Sequence, residues 1–170
     1  MAITGRSVVR VEGLEDVLKT LNAQIKLIPF RTLKGMISAG LTIQRRAQKL
    51  VPVDSGNLKA SAFTTWATKA SSSSPSFRQG KKGRKVDTAK LAADHAQVVA
   101  QSKASLSSQV FLHPEVEVGF TANYAIYVHQ DKEAKHPKGG EWKFLQKALV
   151  QGQADIMRAI EKEVVVKETD

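Results

Sequence analysis

Cysteine is absent from the 170 residues, which excludes disulfides, cysteine-based zinc sites and a thiol nucleophile. Long apolar runs are missing as well. Nothing in the chain approaches the roughly 20 consecutive apolar residues of a membrane-spanning helix, and its start carries no apolar signal-peptide core. A soluble, cytosol-assembled protein with no membrane partner is expected. Aromatics make up 6% and prolines number five, so each proline acts as punctuation. There is no phosphate-binding glycine motif, no histidine-glutamate metalloprotease helix and no glycine-flanked serine. The expectation is therefore no enzyme, no catalytic residue, no metal and no cofactor.

What is present is an ordinary globular composition, 42% hydrophobic and 25% charged, in a length that suits one domain over 1–170. The net charge is +10. Such a field attracts nucleic acid or acidic protein surfaces. Its distribution is uneven, because Lys69, Arg78, Lys81, Lys82, Arg84, Lys85 and Lys90 face only Asp87 in that stretch. Six of the ten net charges thus fall within 22 residues.

Along the chain, Ser7–Glu12 alternates as a short strand and Gly13 breaks it. Leu14, Val17, Leu18, Leu21 and Ile25 then recur at helical spacing, and Pro29 is expected to interrupt before a longer helix from Arg31. Leu33, Met36, Ile37, Gly40, Leu41 and Gln44 form the candidate inner stripe of that helix, with Arg45, Arg46 and Lys49 outside it. One helical turn is expected near Leu58–Ala62, and the β-branched and aromatic content of Phe63–Lys69 reads as a strand. Ser71–Lys85 is polar, basic and rich in serine and glycine, so it reads as a mobile loop. Val86–Ser105 carries an alanine-rich stripe and reads as a helix. Gln109–Leu112 and Glu115–Phe120 read as strands, the second with Glu115 and Glu117 on its wet face. Asp131–Gly140 is a charged loop, and Glu141–Val164 a closing amphipathic helix. The order argues for an α+β fold: a small antiparallel sheet with the long helix and the C-terminal helix on one face, and 70–108 inserted as basic loop plus helix.

The corner Val51–Ser61, VPVDSGNLKAS, carries the most information. Pro52 lacks an N–H and drives Val51 out of the helical region, so the helix stops there. Asp54 or Ser55 can cap the next turn, and Gly56 tolerates the dihedrals of a sharp bend.

This corner also resembles the proline-valine-aspartate-threonine-glycine-x-leucine-arginine-x-serine signature of the tail-component, or head–tail joining, family of long-tailed bacteriophages. Ser55 stands for the threonine and Lys59 for the arginine. Tyr124–Gln130, YAIYVHQ, is similar to a second family segment, with Ile126 where proline is usual and His129 where glutamate is usual. Phe144–Leu149, FLQKAL, is similar to the block that opens the last helix, and Val9–Leu21 to the start. The resemblance implies a structural virion protein of the phage neck or tail-completion region. Such proteins form rings, typically of six subunits, between the connector or portal side and the tail tube or tail terminator, with DNA passing through.

Under that reading the candidate subunit and partner contacts are Pro52, Asp54, Ser55, Gly56, Asn57, Tyr124, Tyr127 and His129, with strand addition at the sheet edge as a mode. The basic set Lys69 to Lys90 is the candidate contact for DNA or an acidic partner, ordering only on assembly. The alternative is a non-sequence-specific nucleic-acid-binding protein using that same basic loop. His129 and His136 flank a charged loop with Asp131 and Glu133, but sequence-near His and Asp on a solvated loop read more simply as polar surface. Trp66 and Trp142 read as core.

Overall fold

The computed structural model describes residues 13–67, 69–71, 75–80, 85–106, 112–133 and 139–165. The strands expected at Ser7–Glu12 and, apart from Leu112 in a turn, at Gln109–Leu112 fall outside these residues, as do Lys81, Lys82, Arg84 and His136.

Helix α1 spans Leu14–Leu50, 37 residues, about 55 Å at 1.5 Å per residue. It starts on Gly13 in the left-handed region (φ 82), and Glu15 and Asp16 occupy the positive end of its dipole. It stops where the sequence says it must, at Val51, which is extended before Pro52. Pro29 does not divide it. The ring removes the single hydrogen bond to Ile25, whose residue is half exposed, so water can take the freed carbonyl and the helix continues. Two expected helices are thus one.

The corner bends at Gly56 as expected (φ 88), but Gly56 and not Asp54 or Ser55 is the N-cap of the single turn α2, Asn57–Ala60, with no side-chain cap bond. Strand β1, Ala62–Trp66, then pairs with β2, Lys69–Ser71, in a hairpin. The strand expected over Phe63–Lys69 is therefore folded back on itself. Only two residues separate the paired Trp66 and Lys69, and no Asn-Gly or Asp-Gly marks that reversal in the sequence. Helix α3, Thr88–Ser105, is capped by the Asp87 carboxylate, which accepts from the Lys90 N–H at 2.9 Å. Strand β3, Val116–Phe120, pairs antiparallel with β1 to give the sheet order β2-β1-β3. Helices α4, Ala125–Gln130, α5, Phe144–Gln151, and α6, Gln153–Val164, complete the chain. The closing helix begins three residues later than expected and breaks at Gly152. A Cβ there would lie 2.5 Å from the Ala148 carbonyl oxygen and 2.8 Å from Arg46 Cδ.

The fold class is α+β. The register puts Ala62, Thr64 and Trp66 of β1 on the same face as Val116, Val118 and Phe120 of β3. That face receives α1. A Cβ on Gly40 would lie 2.8 Å from Val116 Cγ1 and 3.0 Å from Thr64 Cγ2, so only glycine lets the helix sit this close. Next to it, Gln44 donates to the Ala62 carbonyl (3.2 Å) and accepts from the Thr64 hydroxyl (2.6 Å), all of it buried. Helices were expected on one face only, yet α3 takes the other: Ser102 Oγ donates to Glu117 Oε2 at 2.6 Å. All five residues of β1 are consequently buried, which removes the period-two signal that a half-wet strand shows.

Helix α6 runs antiparallel to α1, with Lys34–Glu163 paired at 2.7 Å, Gly35 against the Ile160 backbone, and Arg46 bound to Asp155. Since α6 ends at Val164, next to the Lys34–Glu163 pair, the N-terminal part of α1 runs beyond it. Leu14, Val17, Leu18, Leu21, Ile25 and Ile28 there are each 47–62% exposed.

Candidate interaction surfaces

Three of the four family-like segments, the corner, Tyr124–Gln130 and Phe144–Leu149, meet in one core, while the described part of Val9–Leu21 lies on the exposed start of α1. Val51 and Leu58 of the corner, Ala122 and Ala125 at the start of α4, and Phe144 at the head of α5 form a buried cluster, with Leu50, Phe120, Val128 and Leu145 packed against it. Phe144 sits at its centre, edge-to-face with Phe120 (5.0 Å) and His129 (4.7 Å). Main-chain bonds tie the same pieces together: Glu141 N–H to Leu50 O and Lys143 N–H to His129 O, both 2.7 Å. Gly140 (φ 115) lies so close to Pro52 that a Cβ would stand 2.3 Å from its Cα. These three segments are thus adjacent because each supplies part of a shared apolar centre.

Placed on this scaffold, the sequence candidates separate. Asp54, Tyr124 and Tyr127 are exposed, Tyr127 at 75%. Asp54 and Tyr124 are neighbours across the corner, and burial together with the Asp54 carboxylate pushes the Tyr124 phenol above its usual range. Pro52, Ser55 and Gly56 are half-buried, and Ser55 Oγ accepts weakly from the Asn57 N–H at 3.4 Å. Gly56 caps α2.

Asn57 and His129 turn inward. The Asn57 amide is buried and bonds both main-chain groups of Arg78, accepting from its N–H (2.7 Å) and donating to its carbonyl (2.9 Å). His129 is half-buried on Phe144; burial, and then the Lys143 charge, hold its pKa below the ordinary value. Asp131 and Glu133 follow in the loop, and among the described residues no cluster of three or more His, Asp or Glu is arranged for a metal.

The basic segment is better anchored than its composition implies. Residues 75–80 are fastened at Arg78 by Asn57, and half-buried Phe77 lies edge-on to His95 with ring centres 6.0 Å apart. One aromatic and one amide supply that anchorage, and an average over fifteen polar residues hides both. The Arg78, Lys85 and Lys90 side chains face outward, and Lys69 lies in β2. His95 itself is 3% exposed, its Nδ1 2.8 Å from Thr121 Oγ1 and its Nε2 without a partner among the described residues. Burial lowers its pKa, so it is neutral near pH 7.

One apolar surface lies outside the sequence candidates. The exposed start of α1 places Leu14, Leu18, Leu21, Ile25 and Ile28 at alternating spacings of four and three, the seam of a helix that packs on another helix. The helical spacing of Leu14, Leu18, Leu21 and Ile25 is legible in the sequence; that the stripe stays exposed is not. At the other end of α1, α4, already a sequence candidate through Tyr127, shows Ile126 (58% exposed) and Tyr127. A cleft of about 520 Å³ between α1 and α5–α6 is lined by Arg45, Arg46, Lys49 and Arg158; only the antiparallel docking of α6 brings Arg158 there. A smaller cavity of about 230 Å³ lies between α3 and the corner, bordered by Asn57, Phe77, Asp94, Thr121 and Tyr124. No described helix is long and apolar enough to cross a membrane. Compared with known proteins, the chain matches no family model, no curated protein and no solved structure.

Proposed function

We propose that this chain is a structural virion protein of the phage head–tail junction, a neck or tail-completion component. It acts by assembling into a ring that joins the connector or portal side to the tail tube or tail terminator and leaves a channel for DNA. One observation carries the reading: the protein exposes two unlike apolar surfaces at opposite ends of α1. The first is the Leu14–Ile28 seam and the second is the α4 patch of Ile126 and Tyr127. Twenty-two residues of helix separate Ile28 from Leu50, about 33 Å. A closed ring needs such a pair, because a head-to-tail contact joins two different patches and leaves one of each free for the next subunit. Large exposed apolar patches mark association sites, and an apolar helix stripe demands a partner. The order of the four family-like segments, and the meeting of three of them at the Phe144 cluster, support the same reading.

The test uses the full chain and two variants, Leu21→Glu/Ile25→Glu on the seam and Tyr127→Glu on α4. The unaltered protein is expected to give rings by electron microscopy and mass photometry, and each variant a monomer. Mixing the two variants should restore one contact and stop at a dimer, since each supplies the surface that the other has lost. An unaltered protein that forms only a two-fold dimer through the seam, or a mixture that stays monomeric, would refute the head-to-tail reading. Absence of the chain from purified virions would refute the assignment to the neck.

A second reading, non-specific nucleic-acid binding through the basic segment, is favoured by the exposed Arg78, Lys85 and Lys90, whose side chains form no ion pair with a described residue. It requires salt-dependent duplex binding by the monomer that vanishes when Lys81, Lys82, Arg84 and Lys85 are neutralised.

A further inference from the structure

We infer that the cleft between α1 and α5–α6 is a binding site for phosphate-bearing anions. It is separate from the basic 69–90 segment and independent of the ring reading. The cleft measures about 520 Å³, and its walls carry Arg45, Arg46 and Lys49 from α1 and Arg158 from α6 against one carboxylate, Asp155. Its local charge is therefore strongly positive.

The arrangement is organised rather than merely basic. Asp155 binds Arg46 Nη2 through one oxygen and Arg158 Nη2 through the other (2.6 Å for the latter), and Arg46 Nη1 reaches the Gln151 carbonyl at 3.4 Å. Both arginines, led by Arg46, hold the Asp155 carboxyl below its ordinary range, so the clamp stays ionised at neutral pH. Each guanidinium offers five N–H donors in a rigid fork; Arg46 gives one to Asp155 and one to Gln151, and Arg158 one to Asp155 and one to the Ala154 carbonyl (3.3 Å), which leaves three on each. Arg45 and Lys49, one turn apart on the same helix, are exposed and form no ion pair with a described residue.

Four cations held this close repel one another, and one carboxylate neutralises only part of that repulsion. A polyanion relieves the rest. Arginine forks match phosphate oxygens in pairs, while lysine adds a point charge. The volume exceeds that of one phosphate and suits several in a row. Two sources present that chemistry, the backbone of a nucleic acid and a free nucleotide or polyphosphate.

The experiment measures binding of the full chain to tripolyphosphate and to a 20-base-pair duplex at 50 and 200 mM salt, before and after Arg45→Gln/Lys49→Gln. Both residues are exposed, so the fold is kept. A control, Lys59→Gln/Lys132→Gln, removes two exposed charges outside the cleft. The cleft variant is expected to weaken binding about 10-fold or more and to reduce the slope of log affinity against log salt by about 1.8, two phosphate contacts at 0.9 each. The control should change affinity about 2-fold. Loss confined to tripolyphosphate identifies a free polyphosphate as the ligand, and loss confined to the duplex identifies a nucleic-acid backbone; either supports the site. Equal losses in the cleft variant and the control, or no binding of either probe, would overturn it.

Discussion

Gln44 joins the longest helix to the central strand, and its removal tests whether that junction is held by hydrogen bonds or by packing alone. Ala62 lies two residues past the end of the β1–β2 ladder, which stops at Thr64↔Ser71; its carbonyl is taken by Gln44 Nε2 at 3.2 Å. The Thr64 hydroxyl, fully buried, donates to Gln44 Oε1 at 2.6 Å. Gln44→Leu keeps most of the volume but strands two buried groups, the Thr64 hydroxyl and the Ala62 carbonyl. Thr64→Val strands one, Gln44 Oε1. The double variant strands only the Ala62 carbonyl. At about 1.5 kcal/mol per stranded group, inside the usual range, the costs are about 3, 1.5 and 1.5 kcal/mol, so the two changes couple by about 3 kcal/mol. For a chain of this size the first corresponds to a drop in Tm of about 6–12 °C. Urea denaturation followed by circular dichroism, with unchanged slope, measures all four corners of the cycle. If the double variant is destabilised by the sum of the singles to within about 0.5 kcal/mol, the polar bridge contributes nothing and the reasoning fails.

Gly140→Ala is expected to destabilise by about 3–5 kcal/mol, combining a side chain at φ 115 with a Cβ placed 2.3 Å from Pro52 Cα. Gly139→Ala, also at positive φ (82) but with nothing within 4 Å, should cost only about 1 kcal/mol, and equal losses in a denaturation assay would count against the close approach. Acid should weaken the fold through histidine. His95 and His129 both have folded pKa values lowered by burial, His129 also by Lys143. Their stabilisation is thus complete above the unfolded value of about 6.5 and is lost as pH falls below it. The urea midpoint should fall between pH 7.5 and 5.5, and less so in His95→Gln. An unchanged pH dependence in that variant would show that His95 is not responsible.

The sequence alone determined the local stops and starts. Pro52 ended α1, Gly56 turned the corner, Asp87 opened α3, and the alternation of Val116, Val118 and Phe120 marked β3. These are short-range effects of a missing N–H, an absent Cβ, a capping carboxylate and a two-residue repeat, each complete within a few residues. Only the tertiary structure decided what those elements meet. The β1–β2 reversal carries no turn signature, and β1 loses its alternation because α1 and α3 cover both its faces. The apolar spacing that reads as helical along Leu14–Ile25 stays exposed because α6 ends opposite Lys34. Asn57 and His129, polar enough to read as surface, point inward toward partners 21 and 15 residues away in the chain. The arginine cleft needs Arg158 to arrive across more than a hundred residues of sequence. Periodicity reports that a face is apolar or charged; which surface covers it depends on helix lengths and crossing positions that no local pattern encodes.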